Sequence, residues 1–260
     1  MKKQKLLVAK IGGNIIEDKE ALDSFLKDFS KIKEPKILIH GGGKSATQLA
    51  SQLGIKTEMI DGRRITSKEN LNVVVMTYAG LLNKNIVCGL QKYNCNALGL
   101  TGSDANVITA EKRPVQFIDY GYVGDVIHVN NTTVNSFLEL NITPVFCAVT
   151  HNGKGQLFNT NADTIASEIA SAMSEFYDVS LFYCFELKGV LENIDDKDSV
   201  IEHIDFKKYA TLRDAEIIAD GMLPKLQNCF DALHKNVSKV HIANADFIKD
   251  NRTKHTTLSL

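Results

Sequence analysis

Residues 36–53, KILIHGGGKSATQLASQL, constrain the fold more than any other stretch of the chain. Ile37, Leu38 and Ile39 are strand formers, Gly41, Gly42 and Gly43 interrupt them, and Ala46, Leu49, Ala50 and Leu53 then recur at helical spacing. The pattern predicts a strand, a glycine turn and a helix that starts at Lys44 or Ser45 and stops at Gly54. Glycines in such a turn let backbone N–H groups approach a ligand without an intervening Cβ. The helix N-terminus behind them favours negative charge. The stretch therefore reads either as an anion cradle at the carboxyl end of a strand or as a tight connection without a ligand. It is not a P-loop, because that pattern needs a glycine where this chain has Leu38. It does match the dinucleotide turn Gly-x-Gly-x-x-Ala at Gly41, Gly43 and Ala46, with Asp61 further on. That match keeps a nicotinamide-dependent reductase as a rival reading.

A chain of 260 residues buries a large core and suits one large domain or two lobes. Its 30 basic and 31 acidic residues nearly cancel, which argues against nucleic acid or a membrane as the main partner. Cys88, Cys95, Cys147, Cys184 and Cys229 are scattered without CxxC spacing and read as reduced core cysteines of a cytoplasmic protein. The histidines show no ligand spacing, so no metal site is expected. Lys10 interrupts the first apolar run and no cleavage site follows, which excludes a signal peptide, and no run is expected to reach membrane-spanning length.

Along the chain, Lys5 to Ile11 reads as a buried strand broken by Gly12-Gly13-Asn14, followed by an amphipathic helix from about Lys19 to Lys31 with Leu22, Phe25, Leu26 and Phe29 inward. With the next strand this forms a β-turn-α-β unit, which implies parallel neighbours and puts both glycine turns at one sheet edge. Lys10 ends a buried strand, so its ammonium either snorkels to the surface or enters the site that the glycines line. Arg64 is either a surface arginine or a bidentate carboxylate clamp. Thr66 or Ser67 caps a long helix reaching Lys92, whose apolar face includes Leu71, Val74, Val75, Tyr78, Leu81, Leu82 and Ile86 and has a surplus suited to a subunit contact. A strand at residues 97–100, a hairpin over residues 115–129, a helix at Val134 to Leu140 and a strand at Thr143 to Ala148 follow.

Asn159, Asn161 and Asp163 precede the next helix. Asn161 or Asp163 serves as its cap, and the cluster exceeds what one cap needs. Val179 to Tyr183 begins a new βα pattern, and residues 195–198 form a solvated charged loop. Lys225 falls in the first turn of a helix after Pro224, where a cation opposes the helix dipole and calls for an anionic partner. Lys239 to Ile242 is the last internal strand, and Thr256-Thr257-Leu258 adds an edge.

KIGGN, HGGG, GRRIT, GLTGSD, GYVGDV, FNTNAD and ADGMLPK occur in the order and spacing of the amino acid kinase family, and the chain resembles that family over nearly its whole length. The resemblance implies an α/β fold. It is a three-layer αβα sandwich around an open, mainly parallel sheet, with residues 1–175 as an acyl-amino-acid and dimerisation lobe and residues 176–260 as an ATP lobe. Within the family the chain is most similar to members that move the γ-phosphoryl of ATP onto the side-chain carboxylate of N-acetyl-L-glutamate in arginine biosynthesis. Residue by residue, the resemblance makes Lys10 and Lys225 the cations on the transferring phosphoryl, and Asp163 the group that holds both. Gly13 and Gly42 become its backbone donors. Gly42, Gly43, Arg64 and Asn159 become substrate contacts, with Arg64 on the α-carboxylate. Gly12, Gly13, Glu186, Leu187, Lys188, Gly189, Val190, Leu191, Ile217, Ile218 and Ala219 fall on the nucleotide segments. ATP and Mg²⁺ are implied, the metal resting on phosphates and water.

The chain departs from the family pattern in several places. Glu186 stands where Asp is usual, the final glycine is missing from His255-Thr256-Thr257-Leu258, and Asn236 replaces a glycine. Lys44 and Arg63 add positive charge near the acyl pocket and keep N-succinyl-L-glutamate as an alternative substrate. The chain begins almost directly at its first strand, and the expectation is a homodimer without arginine feedback. A catalytically inactive amino-acid sensor is a third reading, which the retained Lys10, Asp163 and Lys225 oppose.

Overall fold

The computed structural model describes residues 3–60, 63–214 and 222–260. Asp61, Gly62, Ile217, Ile218, Ala219, Asp220 and Gly221 therefore lie outside the described residues. The chain runs through β1 (Lys5–Ile11), α1 (Gly13–Glu17), α2 (Lys19–Ser30), β2 (Lys36–His40), α3 (Gly43–Gln52), β3 (Glu58–Ile60), β4 (Arg63–Ile65) and α4 (Lys68–Val74). A π-helical stretch, Val75–Leu82, joins α4 to α5 (Asn83–Lys92). Then come β5 (Ala97–Leu100), β6 (Ile108–Lys112), β7 (Gly124–Val129), α6 (Asn131–Glu139), β8 (Thr143–Cys147), β9 (Val149–His151), β10 (Leu157–Asn159) and α7 (Ala162–Met173). The last part holds β11 (Asp178–Cys184), β12 (His203–Ile204), α8 (Phe206–Asp214), α9 (Leu223–His234), β13 (Lys239–Ala243), α10 (Asp246–Lys249) and β14 (Thr256–Leu258).

The main sheet has strand order β12-β14-β13-β11-β1-β2-β8-β5. All its pairings are parallel except β13 with β14. β2 and β8 are buried at every position, as strands covered on both faces must be. α6, α7 and α9 pack with one another and the sheet, while α2, α5 and α10 form a second group, which gives the three αβα layers. Phe25 and Phe29 from α2, Phe146, Phe182 and Phe230 fill the core. Even Lys36 is buried in β2. Its ammonium donates to Ser30 O at 3.0 Å and Ile32 O at 2.7 Å, satisfying carbonyls at the end of α2. A smaller sheet, β10-β9-β6-β7, and the β3-β4 ribbon sit beside this frame.

Several expectations need correction. The hairpin is built from β6 and β7, so its first strand is residues 108–112 and its connection, with fully exposed Phe117, occupies the segment expected to be strand. β14 is not an edge, because β12 pairs outside it. Cys88 is exposed, whereas the other four cysteines are buried, and all five are free. Leu53 is exposed rather than inward, and α3 starts one residue early, at Gly43. The continuous helix Lys68–Lys92 is long and apolar enough to cross a membrane by length and composition, which overturns the expectation that no run reaches that size. In this fold it packs on α2, β5 and β8 instead, with Leu71, Val74, Tyr78 and Ile86 buried and Met76 and Leu81 exposed.

Candidate active site

β1 lies between β2 and β11, so the chain moves to opposite sides of β1 in its two halves. Such a switch point opens a crevice outside the carboxyl ends of the strands, and ligands of open α/β sheets bind there. The turns that reach this edge are Gly12-Gly13 after β1, Gly41–Gly43 after β2 and residues 185–191 after β11. α7 starts beside them, since a Cβ on Gly41 would lie 3.8 Å from Ala162 Cβ.

Lys10, next to last in β1, holds its ammonium in this crevice rather than at the surface. Its side chain is 11% exposed and its Nζ lies 2.7 Å from Asp163 Oδ1. The contact is an ion pair by distance, while Oδ1 receives no well-directed hydrogen bond. Asn161, not Asp163, caps α7, accepting from the backbone N–H groups of Asp163 and Thr164, which frees the Asp163 carboxylate for Lys10. Tyr183 donates to the Asp163 carbonyl at 3.0 Å, and burial, reinforced by Cys229 and Asp163, pushes its phenol well above the usual range. Lys225 comes from the first turn of α9, and its Nζ sits 4.5 Å from the centre of the Phe185 ring. Lys10 Nζ lies 5.9 Å from the same centre. Asp163 pairs with Lys10 alone rather than holding both lysines, and no anionic partner for Lys225 is found among the described residues. Lys10 and Asp163 offset each other, whereas neither Lys225 nor Arg64 has an ion-pair partner among the described residues.

Arg64 is buried, not a surface residue. Its guanidinium donates to Thr47 Oγ1 at 2.7 Å, Gly43 O at 2.9 Å and Thr57 Oγ1 at 3.3 Å, which ties β4 to the glycine turn and leaves donors over for a carboxylate. The neighbouring motifs are knitted together. Asn159 Nδ2 donates to Thr66 Oγ1 at 3.0 Å, Thr66 bridges Gly121, and Val123 bridges Asn159. Gly42 has φ 158°, and a Cβ there would sit 2.3 Å from Leu82 Cδ1 and 3.0 Å from the Tyr78 ring, so only glycine fits. Lys44 reaches Asn14 Oδ1 and lies 3.5 Å from Glu17, clasping the two glycine turns; its charge is compensated. Arg63 is exposed.

On the other side, Glu186 and Lys188 are exposed, and Lys188 pairs with Asp198 at 2.6 Å. Gly189 admits no side chain, because a Cβ would meet Thr256 Oγ1 at 2.5 Å. Thr256 Oγ1 accepts from Val190 N–H at 2.8 Å and donates to Ile201 O at 2.7 Å. The segment around Gly189 is thus pinned by the threonine of the altered carboxy-terminal motif. Asn236 adopts φ 69°, the conformation its glycine counterpart would supply.

Sequence reasoning gave no site role to Phe185, Tyr78 or the pair His40–Asn83. His40 is fully buried; its Nδ1 donates to Gly41 O at 2.8 Å and its Nε2 accepts from Asn83 Nδ2 at 3.1 Å. Asn83 also donates to Val145 O at 2.9 Å. Burial pushes the imidazole down to about 4, so it is neutral near pH 7 and its tautomer is fixed. A histidine between an apolar strand and three glycines was the available signal; nothing local marks Phe185. A polar hollow lined by Lys3, Tyr177, Asp178 and Lys235 lies at the amino ends of β1 and β11, away from these groups.

The profile of the amino acid kinase family matches residues 5–244. An acetylglutamate kinase of Cytophaga hutchinsonii is 52% identical over 260 residues, covering 98% of each chain. An acetylglutamate kinase of Bacteroides fragilis is 50% identical over 246 residues, covering 95% of this chain and 94% of that one. The crystal structure of a Streptococcus mutans UA159 protein superposes with TM-score 0.80 at 27% identity, covering 98% of each chain.

Proposed function

The chain belongs to the amino acid kinase family, and from that premise we infer that it is an ATP-dependent kinase of the side-chain carboxylate of N-acetyl-L-glutamate, acting in amino-acid biosynthesis. The observation that carries the reading of the site is the convergence of Lys10 and Lys225 on one ring at the switch point of the sheet.

A carboxylate oxygen attacks the γ-phosphorus, the bond to the β-phosphate oxygen breaks, and ADP leaves with that electron pair; no proton need move. The protein's task is to position two anions against their repulsion and to stabilise charge. In this reading Lys10 and Lys225 flank the transferring phosphoryl, Asp163 orients Lys10, and backbone N–H groups at Gly13 and Gly42 donate to its oxygens. Arg64 takes the α-carboxylate with its spare donors, and Gly43 and Asn159 complete the acyl pocket. Gly12, Gly13 and residues 186–191 take the nucleotide, together with residues 217–219. Residues 1–175 and 176–260 act as the two lobes, with β1 common to the sheet of both.

Among the described residues no three His, Cys, Asp or Glu side chains are grouped to hold a metal ion. Mg²⁺, carried on phosphate oxygens and water, would neutralise phosphate charge when bound. Exposed Met76 and Leu81 on the long helix suit a subunit contact, and the proposed state is a cytoplasmic homodimer, which light scattering tests. The N-succinyl alternative loses Lys44, which is already engaged by Asn14 and Glu17, and is left with exposed Arg63. The nicotinamide reading gives no role to the paired Lys10 and Asp163.

The test is ADP release with N-acetyl-L-glutamate, N-succinyl-L-glutamate, L-glutamate and carbamate. The highest kcat/KM is expected for N-acetyl-L-glutamate, and a clear preference for another acceptor contradicts the assignment.

A further inference from the structure

Phe185 is the residue after β11, and it is fixed from two directions. Its N–H donates to Ala243 O at 2.8 Å. The Tyr183 ring stacks on it at 6.3 Å and 24°, and Tyr183 is itself tied to the Asp163 carbonyl. The Phe185 ring stands between β1 and α9, with Lys225 Nζ 4.5 Å and Lys10 Nζ 5.9 Å from its centre.

We propose that Phe185 is a positioning residue for phosphoryl transfer: its ring holds the ammonium groups of Lys10 and Lys225 in the crevice until phosphate oxygens replace it. The proposal rests on the reading of the two lysines given above. Two like charges near one site repel each other and would swing towards water if nothing held them. Lys10 has Asp163 as a counter-ion, whereas Lys225 has the ring. A second carboxylate would hold Lys225 too, but it would cancel the positive field and compete with the incoming phosphate. An aromatic face attracts cations through its quadrupole without adding net negative charge. The ring also cannot follow the ammonium groups into the transition state, so it gives them up when a full anion arrives.

The experiment places mono-, di- and trifluorinated phenylalanine at position 185 of the full chain, beside Phe185→Tyr and Phe185→Leu. Fluorine drains the ring face while barely changing its volume. The expected result is a stepwise fall in kcat/KM for ATP with each fluorine, reaching about three- to tenfold, with Phe185→Leu lowest and Phe185→Tyr close to the parent. KM for N-acetyl-L-glutamate is expected to stay unchanged. NMR of the ligand-free protein should show the ε-methylene protons of Lys10 and Lys225 shifted upfield by the ring, and Phe185→Leu should abolish the shift. A flat fluorine series or unshifted lysine signals would overturn the proposal. If Lys10→Ala and Lys225→Ala abolish turnover while the series stays flat, only the role of Phe185 falls; if those alanine variants keep turnover, the underlying reading falls with it.

Discussion

The two walls of the crevice are built to different standards. On the β2 side nearly every polar group is spoken for. Arg64 is buried among three acceptors, both nitrogens of His40 are used, and Gly42 seats against Tyr78 and Leu82. On the β11 side Glu186 and Lys188 are exposed, Lys188 pairs with Asp198 in solvent, and half-buried Lys225 rests on a ring. On the proposed reading the tight wall takes the small acceptor, whose carboxylates must be held in one pose. On the same reading the loose wall takes the large nucleotide, which must enter, shift its charge and leave as ADP.

Substitutions of the two lysines should break the comparison most visibly. Lys10→Ala and Lys225→Ala should each lower kcat by about 10²–10³-fold or more, by analogy with loss of one oxyanion donor. Their stabilities should differ, because Lys10→Ala leaves the part-buried Asp163 without its ion pair whereas Lys225→Ala strands no carboxylate found among the described residues. Thermal unfolding of the two variants checks this: a drop in Tm for Lys10→Ala only. On the tight wall, Arg64→Ala should raise KM for N-acetyl-L-glutamate about 100-fold, about 3 kcal/mol of lost charge-assisted bonding. Arg64→Lys should not restore it, because one ammonium cannot reproduce the fork. Steady-state kinetics with both substrates varied reads both effects, and KM for ATP should change little.

His40 gives a pH signature to the same wall. Its folded pKa, about 4, lies below the unfolded value, so only the unfolded chain takes up a proton between roughly pH 6.5 and 4. The stability it contributes is therefore complete above pH 6.5 and is lost as pH falls towards 4, by up to about 3 kcal/mol. Chemical denaturation across that range should show the slope, flattened in His40→Gln. His241, also held at about 4 by burial and by His255, adds a parallel loss from the other half. On the loose wall, Thr256→Val should leave Val190 N–H and Ile201 C=O unpaired, costing about 1–3 kcal/mol, and should raise KM for ATP while sparing KM for the acceptor. Lys188→Ala, breaking an exposed pair, should change stability by less than about 0.5 kcal/mol.

The frame was legible because its signals are local. The apolar run of β1, the glycines after β1 and β2 and the helical spacing of α2 each state their element without help from the rest of the chain. Lys10 was legible as an anomaly, a cation inside an apolar run. What was hidden depends on distant residues. The hairpin strand at residues 108–112 is held by pairing with β7, not by its own sequence. Phe185 looks like any apolar residue after a strand until α9 brings Lys225 over it. Lys44 looked like spare charge for the acyl pocket until the fold brought Asn14 and Glu17 to it.

On the proposed mechanism, two ammonium groups from opposite ends of the chain meet on one phosphorus. A crystal structure with ADP, Mg²⁺, aluminium fluoride and N-acetyl-L-glutamate tests it directly. Lys10 Nζ and Lys225 Nζ are each expected within about 3 Å of the fluoride cage that mimics the travelling phosphoryl. A complex in which either ammonium stays on Phe185 or turns to solvent, with other groups around the cage, would contradict it.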